Sequence, residues 1–87
     1  MQLILFSVYD AAVGAFIMPF FLRSKGEAIR AFSAEVNNPQ SNFNKSPKDF
    51  TLFQLASFDD NTAEISLEVG KLSLGNAVEF LSSAQAT

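Results

Sequence analysis

"YDAAVGAFIMPFFLRS", Tyr9–Ser24, decides the fold. With "MQLILFSV" before it, the first twenty-two residues hold a single charge, Asp10. Such a run reads either as a membrane segment or as half of a small core. A signal peptide requires a basic n-region, yet no Lys or Arg precedes Arg23. A spanning helix requires about 20 apolar residues. Asp10 falls near the middle of the run, where a charge costs roughly 3 kcal/mol, and Pro19 would break the helix again. Two strands fit better. Leu3–Tyr9 is rich in β-formers (Ile4, Phe6, Val8, Tyr9),. Ala15–Leu22 is a second apolar run, and "DAAVG" supplies Asp10 and Gly14 as turn residues,. Pro19 cannot donate to a ladder, so the return strand is expected to lie at an edge there or to bulge.

Working outward, "SKGE" (Ser24–Glu27) is a capping box,. Ala28, Ile29, Phe32 and Val36 follow at helical spacing, and "NNP" (Asn37–Pro39) stops the helix,. Asn38–Asp49 reads as a polar loop with two prolines. At twelve residues it is long for a connector, and long loops often carry function. "FTLFQLASF" (Phe50–Phe58) is a third strand and "DDNT" a turn. In "AEISLEV", Ile65, Leu67 and Val69 alternate with Glu64, Ser66 and Glu68. That period of two predicts a fourth strand with one buried and one wet face. "LSLGNAVEFLSSA" places Leu74, Ala77, Val78 and Leu81 at helical spacing, which predicts a C-terminal helix,. The fold class expected is α+β. A single domain, residues 1–87, has a mostly antiparallel sheet in β-β-α-β-β-α order with helices on one face.

Composition bounds the chemistry. The 87 residues contain no Cys and no His. Thiolate ligands, the commonest metal ligand and the commonest general base are all missing. "DDNTAEI" lacks the spacing of a calcium loop. No "GxSxG" and no phosphate loop occur, and Ser7, Ser24 and Ser33 have no His to activate them,. The expectation is a nonenzymatic protein with no catalytic residue, metal or cofactor.

Six basic residues face nine acidic ones, a net charge of −3, which argues against a strongly basic nucleic-acid binder. Arg23, Lys25 and Arg30 nevertheless cluster around the first helix, and Lys45 and Lys48 lie beside Phe43 and Phe50. Cations interleaved with rings are what single-stranded nucleic acid requires. The same residues also read as ordinary surface charges over a phenylalanine core. Ten phenylalanines are many for this length. A chain this small leaves much of its surface outside its own core, so some rings are expected at a subunit contact or a ligand surface.

"LFSVYD", "GAF…PFF", "GEAIRAFSAEVNNP", "KSPKDFTLFQLASFDDNTAEI" and "LSLGNAVEFL" occur in this order over nearly the whole chain. The set resembles the small nonstructural protein of gokushovirus-type Microviridae, which are single-stranded DNA bacteriophages. Where comparable members often read like "KHPEDY", this chain has "KSPKDF", Lys45–Phe50, with no His and with Lys48 in place of Glu. The resemblance implies a nonstructural protein in the cytoplasm of the infected bacterium. Its expected task lies in single-stranded DNA replication or packaging, through single-stranded DNA or the replication complex. The candidate contacts are Arg23, Lys25, Arg30, Lys45, Lys48 and Phe43. A homodimer or larger homo-oligomer is expected, with a viral replication or capsid protein as a further partner. The alternative is a protein–protein adaptor that uses an aromatic patch or a sheet edge. No membrane partner is expected.

Overall fold

The structure, a computed structural model, describes residues 1–82, the side chain of Val69 excepted. It is the α+β fold expected, with a five-stranded antiparallel sheet. Strand β1 spans Gln2–Asp10, β2 Ala15–Phe16 and β3 Phe20–Leu22. Helix α1 spans Lys25–Val36 and a one-turn helix α2 spans Asn42–Lys45. A 3₁₀ turn, Pro47–Asp49, leads into β4, Phe50–Asp59. Strand β5 runs from Ile65 to Asn76, and a second 3₁₀ turn spans Ala77–Phe80. The sheet order is β2-β1-β4-β5, with β3 also on β1.

The opening run is strand, turn and return. Gly14 (φ +76°) closes the turn by donating its N–H to the Asp10 carbonyl at 2.8 Å. The return strand is not continuous over Ala15–Leu22. It breaks at Ile17–Pro19, where Pro19 has no N–H for the ladder,. Across this break the buried Ser7 hydroxyl donates to the Ile17 carbonyl at 2.8 Å. No helix among the described residues is long and apolar enough to cross a membrane.

Helix α1 begins as the capping residues predict, with one change. The Ser24 hydroxyl accepts from the Glu27 N–H at 3.1 Å. The Glu27 carboxylate reaches past Ser24 to the N–H of Arg23, at 2.9 Å. Ala28, Phe32 and Val36 are buried and Ile29 packs beside them. They meet Phe6 and Val8 of β1, Phe50 and Leu52 of β4, and Ala77. All helical segments that join this core lie on one side of the sheet.

Three expectations need correction. Asn38–Asp49 is not a plain loop, because α2 and a 3₁₀ turn organise it around the Ser41 cap. The C-terminal helix is not formed as predicted. Strand β5 continues to Asn76, and only Ala77–Phe80 turns. Positions 83–84 of that predicted helix lie outside the described residues. The third concerns the buried face of β5. Ile65 is 63% exposed and Leu67 80% exposed. The alternation is real, but nothing within the described residues covers its apolar side. The Val69 side chain of that pattern lies outside the described residues.

Candidate functional site

The five cations singled out are all exposed. Among the described residues, none of them lies within 4.0 Å of a carboxylate oxygen. The ion pair present joins the Met1 ammonium to Asp60 at 2.8 Å, and that hydrogen bond raises the ammonium pKa. The five do not form one cluster. Arg23 and Lys25 flank the start of α1, and Arg30 follows on the same helix. Lys45 sits near the opposite end of α1, where the neighbouring Asn44 side chain donates to the Val36 carbonyl at 2.9 Å. A twelve-residue helix is about 18 Å long,, so these are two separate sites.

Their electrostatics differ. Between residues 23 and 30 there are three cations against one carboxylate, Glu27. Lys45 instead lines an open cleft with Asp10 and Asp49. A phosphate approaching Lys45 meets two carboxylates. Lys48 stands in the adjoining 3₁₀ turn, where its carbonyl accepts from the Asn76 amide at 3.0 Å. Phe43 is half-buried, with its ring centroid 5.5 Å from Phe32 and 4.5 Å from Phe50. The ring anchors α2 to the core and is poorly placed to stack on a base.

The sheet face turned away from the helices is the larger feature, and the sequence reading did not resolve it. Residues paired across neighbouring antiparallel strands share a face. The core face carries Val8 opposite Leu52 and Phe6 opposite Gln54. The open face carries Leu3 opposite Phe58, Leu5 opposite Ala56, Ser7 opposite Phe53 and Tyr9 opposite Thr51. It continues through Phe21 and Phe16 on one side and Ile65, Leu67 and Ser73 on the other. None of these residues is charged. The rings touch in series: Tyr9–Phe16 at 4.9 Å, Phe16–Phe53 at 5.4 Å, and Phe21–Phe58 at 6.0 Å. Six phenylalanines serve the helix side and four the open face. A bulge at Leu55 sends Ala56 and Phe58 to the open side, so strict alternation along β4 could not have found them.

Among the described residues, no cluster of acidic, His or Cys side chains could hold a metal ion. A sequence-family model described as "Phage ORF5 protein" matches residues 3–80. No curated protein matches the chain significantly, and no solved structure does.

Proposed function

The chain thus belongs to the Phage ORF5 protein family, and on that premise we propose that this phage protein is a nonenzymatic factor in viral single-stranded DNA replication or packaging. It binds single-stranded DNA or the replication complex and works as a homo-oligomer in the cytoplasm of the infected bacterium. Its placement with gokushovirus-type Microviridae is part of the same proposal. The observation that supports it is the group Arg23, Lys25 and Arg30, exposed and, among the described residues, outside any ion pair. Three cations per chain are few, and the net charge is −3. Affinity therefore depends on bringing several copies to one strand.

Fluorescence anisotropy with a labelled single-stranded oligonucleotide tests this. Three phosphate contacts predict a slope of log K against log salt of about −2 per protomer. Replacing Arg23, Lys25 and Arg30 with Ala is expected to flatten that slope. No binding at low salt, or binding indifferent to salt, would overturn the reading.

A second reading is a protein–protein adaptor for a viral or host protein. The twelve-residue β5 favours it, because its outer edge carries no partner strand among the described residues. An extended segment could add to that edge. Capture of one stoichiometric partner from infected cells, lost when β5 is changed, distinguishes this reading from the first.

A further inference from the structure

We propose that the open sheet face packs against the same face of a second copy, forming a face-to-face homodimer. The proposal deepens the self-association named above and does not depend on DNA binding.

The two faces of the sheet change character differently along its length. Near the helices, the covered face is apolar, with Val8, Phe6 and Leu52 in the core. Beyond Gln54 the same face turns polar. The Gln54 amide donates to Glu68 at 2.6 Å, and Ser57 pairs with Ser66. The open face does not make this change. Leu3, Phe58, Ile65 and Leu67 keep it apolar to the far end. Apolar and polar residues are thus sorted as though the open face were the buried one, yet Phe21 is 51% exposed and Leu67 80%.

Charge then selects the occupant. A twofold contact sets a surface against itself, so any charge near its centre meets its own sign. The paired residues of this face carry no charge, and Lys71, exposed on the edge strand two residues from Ser73, lies away from the centre, so self-contact sets no like charges against each other there. A nucleic-acid strand would find no cation on those positions for its phosphates. The area is also sufficient. Four strands across and about ten residues along give roughly 600 Å² per protomer from ordinary strand spacing,. Two such faces bury about 1,200 Å², the lower bound of stable specific interfaces. Sheets stacked in this way form an ordinary sandwich core.

Size-exclusion chromatography with light scattering on the full chain tests the proposal. The wild type is expected at about 19 kDa, twice the 9.5 kDa protomer. Leu67→Lys and Ile65→Lys change exposed positions on the face and are expected to halve the mass while leaving the far-ultraviolet circular dichroism unchanged. Val13→Lys, at a 73% exposed site in the β1–β2 turn, is expected to remain dimeric. A monomeric wild type at about 100 µM, a concentration well above the micromolar Kd of a weak specific contact, would overturn the proposal and leave the face to a different protein. Both Lys variants remaining dimeric would also overturn it and point to pairing at the β5 edge. Anisotropy on the same samples keeps the two readings apart. A dimer that ignores DNA removes only the DNA reading, and a monomer that binds DNA removes the dimer and the self-association while leaving the DNA contact.

Discussion

At Asn76 one side chain joins three segments. Its amide donates to the carbonyls of Lys48 and Phe50, both at 3.0 Å, and to the Thr51 hydroxyl at 3.2 Å. Its carbonyl accepts from the Val78 N–H at 3.0 Å, while the Glu79 carboxylate accepts from the Asn76 N–H at 2.8 Å. The residue therefore ends β5, caps the following 3₁₀ turn and holds the entry to β4. Gly75 beside it has φ +136°, and a Cβ there would lie 2.9 Å from the Phe80 ring. Asn76→Ala removes both the cap and the cross-links, and is expected to cost about 2 kcal/mol in urea denaturation. "NAVE" carries the same capping logic as "SKGE", so this start was legible in the sequence. Helical spacing from Leu74 onward masked it. Phe43 shows the opposite limit. Its neighbours Lys45 and Lys48 suggested a stacking ring, but its contacts with Phe32 and Phe50, eleven and seven residues away across a change of element, follow no single helical or strand period.

At the scale of elements, α1 was the most legible. Its cap, its apolar period and its stop signal all agree, and together they fix Ala28, Phe32 and Val36 on the core side. The segment from Asn38 to Asp49 was illegible because a single helical turn spans too few residues to show a period. That segment also separates the two groups of cations. Since Asp10 and Asp49 offset Lys45, replacing Lys45 and Lys48 with Ala is expected to change oligonucleotide affinity less than twofold. The Arg23, Lys25 and Arg30 replacements are expected to abolish most of it, and anisotropy at one low salt concentration separates the two outcomes. The alternation of β5 was read correctly as a pattern. Which side of it would be covered could not be read, because that depends on where the helices dock.

For the whole molecule, the sheet has two apolar faces and the chain supplies helices for one. The described residues thus form one complete layer pair and leave the second face uncovered. If a second copy covers it, folding and association are linked, and mass action raises the apparent stability with concentration. The thermal midpoint is expected to rise by several degrees between about 5 and 500 µM protein for such a dimer. For Leu67→Lys it is expected to stay constant. Differential scanning fluorimetry over that range reads both. The phage family membership rests on nearly the whole chain, since the match runs from residue 3 to residue 80.

The bulge at Leu55 bears on how this gene can vary. A strand normally tolerates substitution far better than a change of length, because one residue more or less exchanges its two sides from that point on. Here Leu55 is the additional residue, and losing its codon would set Ala56 directly after Gln54, with Ala56 and Phe58 still on the open side and Ser57 still on the helix side. The bulge marks the one position of β4 where a residue can be lost without exchanging sides. Losing the Ser57 codon instead would turn Phe58 to the helix side and invert the surface that the strand's end presents.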